Sequence, residues 1–209
     1  MKRLRSMVPV LWLCIGGSAN GEYQTECNTQ DFDGSIEVCA IEEALTEELN
    51  DYRCEFGKTM SQDHLKADTR LAISYELAIA ARQYARYAAT HATRPHQGYP
   101  QARRRFLTQR FPELQDKIGG AFKIINEIEA PARNARGGNS VERTIILDFA
   151  ASPGHKRAMM GSHSLLGSER TSSHMGAGAY VAPSGKVYAV ILFADIKDHF
   201  DGPEACSAN

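Results

Sequence analysis

The sequence predicts an α/β protein: a three-layer α/β/α sandwich with a small antiparallel sheet held between helices. Three observations carry that expectation. The stretch SYELAIAARQYARYAATHA, opening at Ser74, repeats Leu77, Ala81, Tyr84, Ala88 and His91 at helical spacing. Towards the C-terminus, MGAGAYVA and KVYAVILFADI flank a tight turn at Pro183–Gly185, as two strands of a hairpin would. The second of these strands is almost wholly apolar, so both of its faces are expected to be covered. Helices on both faces of one sheet make three layers.

The remaining elements follow along the chain. MKRLRS is a basic leader, MVPVLWLCIGG a short apolar core and GSA a small-residue cleavage site, so residues 1–19 read as a signal peptide cut after Ala19. The apolar run is too short to span a membrane, and no transmembrane segment is expected after its removal. Cys14 as a lipoprotein acceptor is the alternative, with Leu13 a poor fit before it. Residues 20–40 lack helical periodicity and read as an irregular leader carrying two cysteines. In Ile41–Gly57, Ile41, Leu45, Leu49 and Tyr52 fall on one helical face, and Gly57 suits the stop. Residues 58–70 are polar and connect. After the helix from Ser74, Pro95 marks its end, and PQARRRFLTQRF could form a basic helix stopped by Pro112. GGAFKIINEIEA has the β-branched residues of a strand, PARNARGGN reads as a loop, and SVERTIILDFA as a helix opening on Ser140. The main domain is placed at 41–200, with a tail over 201–209 that carries Cys206.

With 209 residues the chain suits one domain with a proper core. Its formal charge of −1 becomes −4 without residues 1–19, leaving 21 basic against 25 acidic side chains. Nothing global steers such a chain towards nucleic acid. Signal removal also leaves four cysteines, Cys27, Cys39, Cys54 and Cys206. An even number in an exported chain points to two disulfides, with three connectivities open. The favoured pairing is Cys27–Cys39, closing a short loop, and Cys54–Cys206, tying the tail to the first helix; free structural thiols are the alternative.

The segment ASPGH places Ser152 as a helix N-cap, Pro153 at the first helical position and His155 at the third. A helix N-terminus disfavours an imidazolium, so the position suits a histidine kept neutral, with a lone pair for a metal. A capping role would also occupy the Ser152 hydroxyl.

Taken in order, LNDYR, a helix ending before PHQG, the strand segment INEI, SPGH and the glycine-alternating hairpin resemble the CAP superfamily, the group of cysteine-rich secretory, antigen-5 and pathogenesis-related proteins. The pattern is nearest its bacterial secreted branch and covers roughly residues 41–196. Leu49-Asn50 and Arg53 sit like the family's L-N-x-x-R, and Asn126-Glu127-Ile128 resembles its G-E-N-I through the glutamate. The chain departs in carrying Phe149 where relatives often have Trp, and Ser152 where animal and plant relatives have a second Glu.

The resemblance implies a cleft lined by His96, Glu127 and His155. Two imidazoles and a carboxylate supply three ligands for a divalent metal such as zinc, leaving a fourth position for water or a substrate oxygen. It implies a secreted or periplasmic binding or effector module, whose ligand is a lipid or small molecule or whose partner is a protein. The alternatives are a metal-assisted hydrolase, with Glu127 as ligand or base, and a non-catalytic interaction module with a vestigial cleft. Glu129 is a possible second acid. His91 reads as a helix-end residue, and His64, His163, His174 and His199 are assigned nothing. Arg103, Arg104, Arg105 and Arg110 read as a solvated helix face or an anion-binding cluster. HExxH, G-x-S-x-G, the P-loop and the dinucleotide fingerprint are all absent, which argues against the enzymes that use them.

Overall fold

In a computed structural model of the protein, the element at the centre of the fold is the apolar C-terminal hairpin. The structure describes residues 36–57, 69–91, 109, 112, 124–133, 138–160, 162–165, 168–194 and 204–206; over 36–37, 124–133, 162–165, 168–171 and at 204 it describes the backbone alone. All of these lie in the unit Gly34–Asn209. Its helices are α1 (Ile36–Phe56), α2 (Tyr75–His91), α3 (Val141–Ala150) and α4 (Pro153–Met159). Its strands are β1 (Thr69–Arg70), β2 (Ala72–Ile73), β3 (Ile124–Arg133), β4 (Ser162–Leu165), β5 (Ser168–Thr171), β6 (His174–Val181), β7 (Val187–Ala194) and β8 (Glu204–Ala205).

The main sheet has the order β2-β6-β7-β3. β6 and β7 form the expected hairpin, with Tyr180 opposite Tyr188 and His174 opposite Ala194. Gly185 in its turn adopts φ 74°, a left-handed conformation natural to glycine. β3 pairs antiparallel with β7 and runs on through Pro131 to Arg133, past the point where a loop is expected, with a register irregularity between Ala130 and Arg133. A strand edge with an irregular register tolerates a proline that a central strand would not.

One expectation about the sheet needs correcting: it is mixed, not antiparallel, because β2 pairs parallel with β6 through Ala72–His174 and Ile73–Met175. Two residues have no period to read, and this pairing is set by side chains elsewhere. Asn50, buried in α1, donates to the Leu71 carbonyl at 3.1 Å and accepts from the Leu71 N–H at 2.8 Å. It thereby behaves as a one-residue strand partner and lays the segment along β6. The polar connector expected over 58–70 likewise contains β1, which pairs antiparallel with β8.

Side chains alternate across a strand, and the hairpin uses both faces. Met175, Ala177, Ala179, Val187, Ala189, Ile191 and Phe193 pack with Leu45 and Leu49 of α1, Ile145, Ile146 and Phe149 of α3, and Met159 of α4. The intervening Val190, Leu192 and Ala194 pack with Leu77, Ala81, Tyr84 and Ala85 of α2. The helix expected from Ser74 is present, and the Ser74 hydroxyl accepts from the Leu77 N–H at 3.4 Å. Helix α1 starts five residues before the expected Ile41, because Val38 and Cys39 are packed inward and tertiary burial extends the helix into a segment without a local pattern. It stops one residue before Gly57.

Cys54 and Cys206 form a disulfide across a sequence separation of 152 residues, as expected. Cys39 is also disulfide-bonded; its expected partner Cys27 lies outside the described residues, as do residues 1–35, the basic stretch PQARRRFLTQRF apart from Gln109, and Cys14. Closing so long a loop restricts the unfolded chain strongly. Replacing Cys54 and Cys206 together by serine is therefore expected to lower the unfolding free energy by about 2–5 kcal/mol, read as a lower urea midpoint under non-reducing conditions.

Candidate functional site

Helix α3 opens where expected. The Ser140 hydroxyl accepts from the Arg143 N–H at 3.1 Å, and Ile145, Ile146 and Phe149 are buried. Arg143 also ties α3 to α1, donating to Glu48 at 3.1 Å and Glu55 at 3.4 Å. Burial acts against the Arg143 charge, yet these two carboxylates outweigh it and hold its pKa above the usual value. Beside them the Tyr52 phenol is pushed up by burial, against the pull of Arg143 and with a further push from Glu55. Tyr52 packs 4.6 Å from Phe56, centroid to centroid.

Ala151 and Ser152 form a short elbow into α4. Ser152 holds the N-cap position and Pro153 the first helical position, but the Ser152 side chain makes no capping hydrogen bond. The expectation that capping occupies this hydroxyl is thus incorrect. At this elbow the Ser152 N–H donates to the Phe149 carbonyl at 3.0 Å, and its carbonyl accepts from the Lys156 N–H at 2.8 Å.

His155 sits at the third position of α4, half-buried, with its ring edge-on to Phe149 at a centroid distance of 5.4 Å and an interplanar angle of 90°. Such edge-to-face geometry matches the quadrupoles of two rings. Helix α4 is seven residues long, about two turns. Its inner face buries Ala158 and Met159, and α3 and α4 both lie against β3. Glu127 lies on β3, with its backbone opposite Leu192; Glu129 stands opposite Val190. The structure therefore brings the helix of His155 and the strand of Glu127 into contact. His96 lies outside the described residues, as do His64, His199 and the Arg103–Arg105 cluster with Arg110. Among the described residues there is no group of three or more His, Cys, Asp or Glu side chains placed to hold a metal ion.

The other histidines divide. His91 closes α2 as expected, stacked on Tyr87 at 4.1 Å with Nδ1 3.1 Å from the Tyr87 carbonyl. His163 is on β4, opposite Arg170. His174 is not in a connecting segment: it begins β6, is 1% exposed, and its Nδ1 lies 2.7 Å from the Ser173 hydroxyl. The alternation of MGAGAYVA starts one residue later, so the strand's first residue was hidden from a pattern reading.

The L-N-x-x-R segment acquires a physical role. Leu49 is fully buried, Asn50 holds Leu71, and Arg53 donates through Nε and Nη2 to the Thr69 carbonyl at 3.1 and 3.0 Å. Its Nη1 reaches the Met159 carbonyl at the end of α4, at 2.6 Å. Sequence reasoning also missed the buried pair of Glu42 and Arg82, since 40 residues separate them and neither lies in a motif.

No family model matches the chain, and no curated protein matches it. Among solved structures, it is similar to an outer surface protein from Borrelia burgdorferi at 17% identity, over 78% of this chain and 98% of that one, with a TM-score of 0.49. Among the described residues no helix is long and apolar enough to cross a membrane.

Proposed function

We propose that the chain is an exported CAP-like binding module, built as an α/β/α sandwich, whose cleft takes a divalent metal or a small ligand between His155, Glu127 and His96. The observation that supports this most is the packing of α4 against β3, which puts the backbones bearing His155 and Glu127 on neighbouring elements. His155 is half-buried, and its ring is held edge-on to Phe149. The donor set is chemically a zinc set, two imidazoles and one carboxylate. Of that set the structure describes the side chain of His155. The Cys54–Cys206 disulfide supports export, since such bonds persist in oxidising compartments.

The test is elemental analysis of the mature chain, prepared without an affinity tag and loaded with zinc. Stoichiometric zinc is expected in the wild type and its loss in His155→Ala. A zinc-free wild type after loading, or a His155→Ala protein that still holds full zinc, overturns the metal reading.

A further inference from the structure

We infer that Arg53 is a positioning residue for His155, seating the helix that carries the histidine by that helix's own C-terminal carbonyl. Arg53 is 3% exposed, and its guanidinium spans two acceptors far apart in sequence, Thr69 O and Met159 O. The Met159 carbonyl belongs to the last turn of α4, where carbonyls have no partner within the helix and where a cation is favoured by the dipole. A planar guanidinium fixes the angle between its acceptors, which a lysine ammonium does not.

The far side of this joint is itself rigid. Thr69 and Arg70 pair with Ala205 and Glu204, and the following Cys206 is bonded to Cys54, the neighbour of Arg53. Asn50, one turn earlier in α1, holds Leu71 by both backbone groups. Arg53 thus connects a fixed corner to α4. Ala158 and Met159 of α4 are buried in the apolar core, and apolar burial is non-directional. Such burial holds the helix down but does not by itself set its rotation. The hydrogen bond to Met159 is directional, and His155 lies one turn away on a helix too short to bend between them. A change in the seat at Met159 is therefore passed to the His155 ring and to its contact with Phe149.

The meaning of this seat for ligand binding rests on the proposed cleft, whereas the seat itself does not. The test follows the His155 imidazole resonance by NMR in zinc-free protein, for wild type, Arg53→Met and Arg53→Lys, with Leu77→Ala as a destabilising change on the opposite face of the sheet. The His155 signal is expected to shift or broaden in both Arg53 variants, with His91 unmoved, and to stay in place in Leu77→Ala. Zinc affinity of the Arg53 variants is expected to fall about tenfold, the low end of the loss seen when groups supporting metal ligands are removed. Arg53→Lys keeps the charge and serves the measurement if the methionine variant does not fold. An unchanged His155 signal in a folded Arg53 variant overturns the inference. A wild type that takes no zinc overturns the proposed function instead, and the His155 signal still decides this one.

Discussion

Arg82→Met is expected to lower the unfolding free energy by about 3–5 kcal/mol, a large share of the roughly 5–15 kcal/mol that holds a domain together. Arg82, on α2, donates through Nε to Glu42 Oε1 at 2.8 Å and through a terminal nitrogen to Oε2. Glu42, on α1, is fully buried, and its Oε1 also accepts from the Ala179 N–H at 3.0 Å. The short β2 reaches only Met175, so further along β6 the Ala179 N–H meets a side-chain carboxylate in place of a strand. One carboxylate therefore finishes the sheet edge and links the helices of both faces. Removing Arg82 leaves that charge desolvated beside apolar groups, and this accounts for the size of the expected loss.

Two comparisons make the result interpretable. Replacing both partners, Glu42→Met with Arg82→Met, is expected to cost less than the two single changes summed, because no orphan charge remains. Arg143→Met removes pairs with Glu48 and Glu55 whose side chains keep 25–56% of their exposure, and is expected to cost no more than about 1 kcal/mol. Guanidinium chloride unfolding of the four proteins gives the ranking. A loss at Arg82 no larger than that at Arg143 would show that the interior pair contributes little.

Gly178→Ala is expected to abolish the native packing of α2 on the sheet. A Cβ at Gly178 would overlap the backbone of Ala81 and Arg82, and one at Gly176 would overlap the backbone of Leu77 and Ala78. Rotamer changes cannot relieve a clash with main chain, so helix and strand must separate. Overpacking typically costs about 1–3 kcal/mol where side chains can adjust, and a backbone clash is expected to exceed that range. The control is Gly154→Ala on α4, where a Cβ meets nothing within 4 Å; it should change stability by no more than about 0.5 kcal/mol. Circular dichroism and thermal unfolding of the two variants check both statements. A Gly178→Ala protein that melts with the wild type would refute the close approach.

The same contacts show which part of the architecture is written locally. Helix α2, the Ser140-capped α3 and the β6–β7 hairpin are legible because each has its own period, cap or turn residue, and the forces that shape them act within a few residues. The place of His155 at the start of α4 follows from Ser-Pro in the same way. The first turn of α1, the strands β1 and β2 and the parallel edge of the sheet have no such signature. The first turn of α1 exists because Val38 and Cys39 are packed inward, and the sheet edge is held because Asn50, Arg53 and Glu42 offer hydrogen bonds to backbone far away in sequence. The Ser152 hydroxyl shows the opposite failure, a local capping rule that the folded chain does not follow.

The sequence by itself determined the repeating elements and the residue types offered at positions 96, 127 and 155, since periodicity and capping are short-range and every residue carries its chemistry with it. Only the tertiary structure decided that α2 could lie directly on two glycines, that a carboxylate and a guanidinium would meet at the sheet edge, and that Arg53 would grip the helix of His155. Those outcomes depend on desolvation and on distances between segments tens of residues apart, quantities that no local pattern encodes.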